Sequence, residues 1–338
     1  MELATTTAEW MPVVRTEYLQ DFVQQGGAGV KFAVPETDTE AQALVDALRK
    51  EALGSGYLFV ALDAARVKVH MIDQMFHAVA KEVDWDRLSL AFLRSTLSDL
   101  KYTIPDESEG CSLDKLAALN QAKDAKDPAE MRRDVSEALR KSLFNNYAMT
   151  QEFRIAMLRL CQAQLVPNEG ASGTAAAVKE WLRGELRLIS SLKSAFIFQR
   201  IGRHNARHML FSLAHWLNLA GSVGLVLVLD ITRFMEKRRP AEPDGTLHYS
   251  TAAVRDGYEV LRQFVDGTDE LKHGLIVVVA RPAALLSKDE NPRGLKAYDP
   301  LWFRIADDVH DKIRVNPLAS LVRLGGSNAA RDAATAGG

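Results

Sequence analysis

Cysteine is scarce. The chain of 338 residues has only Cys111 and Cys161, at no spacing that metal or redox sites use. That excludes a disulfide framework and a cysteine zinc site, and it reads as two reduced thiols of a cytoplasmic protein. No apolar run approaches the roughly 20 residues of a membrane-spanning helix, and the first residues do not form a secretory leader. Neither charge dominates: 42 Lys and Arg against 44 Asp and Glu give a formal net charge of -2. A uniformly basic surface is therefore excluded, while local basic clusters for nucleic acid are not. A Gly-x-Ser-x-Gly elbow, a dinucleotide fingerprint and an internal repeat of fixed period are also missing.

What remains is an ordinary globular composition, 47% hydrophobic and 25% charged, in a chain long enough for one large α/β domain or two smaller ones. Its centre is the run Gly224 to Asp230, apolar and partly β-branched behind a glycine and closed by one acid. Such a run is a strand buried on both faces, with its acid at the carboxyl end, where open parallel sheets bind ligands. In P-loop ATPases that acid holds the magnesium of the bound nucleotide. The residue after Asp230 is Ile231, where an ATPase of the AAA+ branch has a glutamate to polarise water.

Buried strands are expected near 30–34, 57–63, 224–230, 274–280 and 319–324. The first is followed by Pro35 to Gln42 and a helix from Ala43 to Leu53, the order that a P-loop requires. Alternation of strand and helix implies a parallel sheet with right-handed crossovers, and the first and third strands are expected to be neighbours. Residues 84–219 contain no strand pattern and read as a helical insertion between the second and third strands. Within it, Asn168 to Gly173 reads as a loop, and Asp127-Pro128 as a helix start. The expected organisation is a first part of the core at 1–83, a helical lobe at 84–219, the rest of the core at 220–324 and a disordered tail at 325–338.

The arrangement resembles the ATP-binding protein family of bacteriophage-exclusion (BREX) defence islands, a branch of the AAA+ ATPases related to replication-origin initiators. The resemblance rests on Tyr18-Leu19 with Gly26-Gly27 ahead of Val30-Lys31-Phe32, on Asn205-Ala206, on Gly224 to Asp230 and on Tyr258 to Gln263. Gly274 to Ala280, Arg293-Gly294-Leu295, Arg304-Ile305 and Asn316-Pro317 continue it. It implies an α/β fold of the P-loop NTPase (AAA+-like) type, three-layered, with a five-stranded parallel sheet and a large helical insertion.

Departures from that pattern carry the functional reading. A Walker A loop needs glycines so that backbone N–H groups can wrap the phosphates, a lysine, and a Ser or Thr for magnesium. The corresponding positions Pro35, Glu36, Asp38, Glu40 and Ala41 offer no glycine and no lysine. Ala280-Arg281-Pro282 stands where a polar sensor is expected, and Asp230 is a residual Walker B position. The expected function is thus a non-catalytic subunit of an antiphage defence assembly, with no cofactor and no metal. Its expected partners are an ATPase, a helicase or a methyltransferase, with DNA contact as a further option and no membrane. The alternatives are an ATP-driven switch with an unconventional phosphate loop, holding ATP and magnesium, and a DNA-binding adaptor. Arg200, Arg203, Arg207, Lys237, Arg238 and Arg239 are the nucleic-acid candidates. His204 and His208 have the spacing of a zinc helix, but Asn205 replaces the glutamate of a metalloprotease motif.

Overall fold

The computed structural model describes residues 4–106, 110–124, 127–238, 244–306 and 315–325. These belong to two compact units, one from residues 1–75 and 223–338, the other from residues 76–222. The expected tail lies outside the described residues, apart from Gly325. In chain order the helices are α1 (Thr7–Val13), α2 (Asp38–Gly54), α3 (Ile72–Lys81), α4 (Trp85–Asp99), α5 (Leu113–Asp124) and α6 (Pro128–Leu139). They continue with α7 (Gln151–Leu165), α8 (Glu169–Arg183), α9 (Ala206–Leu219), α10 (Thr251–Asp266) and α11 (Asp299–Ile305).

The first unit holds one sheet of five strands: β1 (Ala28–Pro35), β2 (Leu58–Asp63), β3 (Leu225–Asp230), β4 (Gly274–Val279) and β5 (Leu321–Leu324). All pairs are parallel, and the order is β2-β3-β4-β1-β5. The expectation that the first and third strands are adjacent is corrected, because β4 lies between them. Burial accounts for this. Every residue of β4 is buried, whereas β2 exposes Ala61 and Asp63 and β5 alternates. With each buried Val or Leu worth about 1.5–3 kcal/mol, the strand apolar on both faces belongs in the middle.

One face of the sheet, with Ala33, Val226, Val228, Leu275, Val277 and Val279, packs on Leu44, Leu48 and Ala52 of α2 and on Trp10 and Val14. The helix expected from Trp10 to Gln25 is α1 running into a wider π-helical stretch, Val14–Phe22. Pro12, inside α1, has no N–H to continue the ladder there. On the opposite face α10 lies against β1, burying Val254, Tyr258, Leu261 and Phe264 along one stripe.

The second unit is helical. Trp85 meets Phe153 with ring centroids 6.3 Å apart and Phe92 meets Trp216 at 4.7 Å, so the aromatic residues of α4, α7 and α9 make its core. The loop expected at Asn168 to Gly173 is instead the first turn of α8. Asn168 caps it by accepting from Ala171 N at 2.9 Å, and burial of Val178, Trp181 and Leu182 outweighs the low helix propensity of Gly170 and Gly173. No helix among the described residues is long and apolar enough to cross a membrane.

Candidate functional site at the carboxyl edge of the sheet

Because all strands run the same way, their carboxyl ends form one edge. Strand pairing sets Asp63 beside Asp230, Asp230 beside Val279, Val279 beside Ala33 and Ala33 beside Val322. At about 4.8 Å per strand, the backbone at Asp230 lies roughly 10 Å from that at Ala33, the distance a bound nucleotide would have to bridge.

Asp230 ends β3 with one oxygen accepting from Thr232 N at 2.9 Å. Burial pushes its carboxyl above the usual range, against the lowering effect of Thr232, and the neighbouring Asp63 adds to the rise. Asp63 has the same local arrangement, accepting from Ala65 N at 2.7 Å. Each acid therefore satisfies its own turn, as Asp does at position i of many turns. Ile231, where a catalytic glutamate would stand, is buried, and its N–H donates to Val279 O at 2.9 Å.

The junction of β1 and α2 differs most from a phosphate loop. Pro35 is the last residue of β1, paired with Leu324, and α2 begins at Asp38, so only Glu36 and Thr37 connect them. Asp38, Glu40 and Ala41 lie in the first turn of the helix rather than in a loop before it. Thr37 and Glu40 form a reciprocal capping box: Thr37 Oγ accepts from Glu40 N at 3.2 Å, and Glu40 Oε2 accepts from Thr37 N at 3.1 Å. The same Oε2 also accepts from Glu36 N at 3.1 Å, a donor shared with Leu324 O at 3.1 Å, so a carboxylate of the chain itself lies against N–H groups that an anion at this helix end would use. Glu36 lies against Gly325, where a Cβ would come 2.3 Å from its Cδ. Arg281, just past β4, forms an ion pair with Asp38 and so neutralises one of the three acids.

Arg293 is the residue whose role the sequence hides. Although buried, it donates to the carbonyls of Phe234, Glu236 and Tyr249 at 3.3, 2.7 and 2.8 Å, tying down the chain that leaves β3. Tyr249 in turn donates to Ala64 O and Val67 O, both at 2.7 Å, after β2. Gly257 lets the Phe234 ring approach, since a Cβ there would lie 2.7 Å from it. Only the sequence Asn-Pro-Arg-Gly at 291–294 marks the spot, as a turn. Arg304 is engaged within the unit, donating to Asp266 and to Pro300 O.

The basic candidates belong to different units. In the second, Arg200 donates to Arg187 O at 2.7 Å, Arg203 is exposed, and Arg207 lies 5.8 Å from the Phe211 ring centroid and 3.1 Å from His208 Nε2. In the first, Lys237 and Arg238 are exposed, and Arg239 is outside the described residues. Asn205 accepts from Gly202 N at 2.9 Å ahead of α9. Among the described residues no three His, Cys, Asp or Glu side chains converge as a metal site would need.

No curated protein and no solved structure matches the chain. A family model does, that of the BREX system ATP-binding protein BrxC/D, over residues 113–331. The matched stretch contains β3 with Asp230, β4 with Arg281, and the Arg293 turn, while β1, α2 and β2 precede it. Matched over well more than half of its length, the chain belongs to the BREX system ATP-binding protein BrxC/D family.

Proposed function

We propose that this chain is a non-catalytic, AAA+-like subunit of a bacterial phage-defence assembly, working in the cytoplasm through its surfaces rather than by turning over nucleotide. The observation that carries this reading is Glu40, whose carboxylate accepts from the N–H groups of both Glu36 and Thr37 at a junction of only two residues. A triphosphate at that place would have to displace a built-in anion, and it would meet Glu36 and Asp38 without a lysine. Losing several charge-assisted hydrogen bonds, at roughly 1.5–3 kcal/mol each, moves a micromolar site beyond the millimolar range. The helices of the second unit, far longer than an ordinary connection between strands, supply the surface for an ATPase, helicase or methyltransferase of the same system.

Family membership supports the defence context. The family name's ATP binding, together with the acid at Asp230, favours the second reading, an ATP-held switch with an unconventional phosphate site. Calorimetric titration with Mg-ATP separates the two. The expected result is no saturable heat at physiological ATP, in the wild type and in Asp230→Ala alike. Micromolar binding that weakens in Asp230→Ala overturns the non-catalytic reading in favour of the switch.

A further inference from the structure

The second unit carries a surface that neither the nucleotide site nor the family description absorbs. From Leu186 to Leu229 the chain contains no Asp or Glu, although it has 44 of them in 338 residues. The solvent-facing part of that run carries Arg187, Lys193, Arg200 and Arg203, with the exposed imidazoles of His204 and His208. Two phenylalanines lie within the same run, Phe196 and Phe198, each 63% exposed on either side of the fully buried Ile197.

This is a held surface. Ile197 N donates to Leu192 O at 3.2 Å, Trp181 Nε1 donates to Gln199 O at 3.0 Å, and Arg200 donates to Arg187 O. The Arg159 guanidinium lies 5.5 Å from the Phe196 ring centroid and its Nε donates to Ala195 O at 3.3 Å, backing the ring with another cation. Phe196 also has φ of 63°, ending the 3-10 turn Ile189–Ala195 in the left-handed conformation that glycine normally supplies. A bulky aromatic residue held there, yet exposed, points to use of its ring.

We propose that Phe196 and Phe198, with Arg187, Lys193, Arg200 and Arg203, form a stacking platform for single-stranded nucleic acid. Exposed rings accept bases of any sequence through their π-faces, and the cations of the run follow the phosphates. An acidic protein segment could satisfy the cations but gives no reason for two exposed rings among them. Arg187 also lines a cleft with Glu180 and Glu185, so it stands at the acidic edge of the platform, where Glu185 pairs with Lys81 at 3.5 Å.

The test is fluorescence anisotropy of the full chain with a labelled 20-nucleotide DNA strand, its RNA equivalent and its duplex, with a poly-glutamate peptide as competitor. The wild type is expected to favour the single strands, with DNA and RNA arms showing which is preferred. Phe196→Ala and Phe198→Ala should each weaken binding roughly ten-fold or more, and Phe198→Trp should restore it. Arg200→Gln with Arg203→Gln should lower the salt slope by about 1.4, from about 0.7 per phosphate contact. Phe196→Gly separates use from structure: it should raise the melting temperature while losing affinity, because glycine has no Cβ to be strained at φ of 63°. Equal affinity for duplex and single strand, indifference to both phenylalanine variants, or tight binding of the acidic peptide instead would overturn the proposal. None of these readings depends on nucleotide, so failure here leaves the Mg-ATP result standing, and the reverse.

Discussion

Two strand ends on one edge of the sheet have gone different ways. β3 still closes on an acid where a P-loop fold uses one, while β1 passes into α2 through two residues whose amides Glu40 holds. A carboxylate at a strand end is a single side chain that its own turn can satisfy, as Thr232 N does for Asp230. Its presence therefore says little about chemistry. A phosphate cradle is instead a property of several consecutive residues: glycines, free N–H groups and a lysine. Here strand and helix are only two residues apart and a capping box closes the gap. In the proposed reading the end on β1 carries more weight than the end on β3.

The contrast can be broken first by the largest packing effect. Gly224 leads into β3, where an added Cβ would sit 2.1 Å from His273 O, a backbone atom that cannot step aside. Gly224→Ala is expected to cost about 3 kcal/mol or more, or to prevent folding. Gly54, at the end of α2, has nothing within 4 Å of such a Cβ, and Gly54→Ala should be neutral or stabilise by about 0.4–1 kcal/mol. Chemical denaturation measures both. Similar costs at the two sites would show that the entry to β3 is no tighter than the exit from α2.

The next effect concerns the closed junction itself. Thr37→Ala and Glu40→Gln should each cost about 1 kcal/mol, and the double variant less than the sum, because both act in one box. Glu40→Ala also takes the carboxylate from Thr37 N and from Glu36 N, of which only the second keeps another acceptor, Leu324 O. Millimolar sulfate is then expected to raise the melting temperature of Glu40→Ala more than that of the wild type. If sulfate acts equally on both, Glu40 is not standing in for an anion.

Much of this was legible in the sequence. The apolar runs located every strand, those buried on both faces such as β4 and also the half-exposed β2 and alternating β5. Strand order was not legible: a run such as Leu275 to Val279 announces burial, not its neighbours, and only pairing shows that β4 separates β1 from β3. At the β1–α2 junction the signature Thr37-x-x-Glu40 was present as a capping box, but the expectation of a phosphate loop concealed it. At Asn168 the reverse occurred, glycines suggesting a loop where the cap and the buried face of α8 decide for helix. Arg293 belongs to the family-like pattern, yet its role depends on three carbonyls from residues 234 to 249, which no local pattern connects.

A third prediction sharpens the comparison from the β1 side. Lys31 in β1 is 5% exposed, with Nζ donating to Leu318 O and Ala319 O and lying 4.6 Å from the Tyr18 ring centroid. Burial lowers its amine to about 8 from the ordinary 10.5. Between those two pH values the unfolded chain holds a proton that the folded chain has lost, so stability rises with pH. Against the slope of Lys31→Met, the wild type should gain stability from about pH 8 to 10.5, at most about 1.4 kcal/mol per pH unit. Parallel curves would mean that the amine is better hydrated than its burial implies.

The smallest effect is expected at Asp230, and it tests the β3 end directly. Burial raises this carboxyl above its ordinary 3.8, so in the folded protein the ionised form is the disfavoured one. For a raised acid the folded state binds more protons than the unfolded just above pH 3.8, and stability falls as pH rises through that window. Asp230→Asn removes the charge while keeping an oxygen for Thr232 N. It should therefore be neutral or slightly stabilising at pH 7, by less than about 1 kcal/mol, with the difference from wild type shrinking as pH falls toward 3.8. Thermal melts across that range, with and without magnesium, measure it. A carboxylate kept for metal would give the opposite pattern: a wild type stabilised by magnesium or Mg-ATP and an Asn variant that no longer responds. In that case the two strand ends would not have diverged as far as their hydrogen bonds indicate, and the switch reading would gain what the non-catalytic one loses.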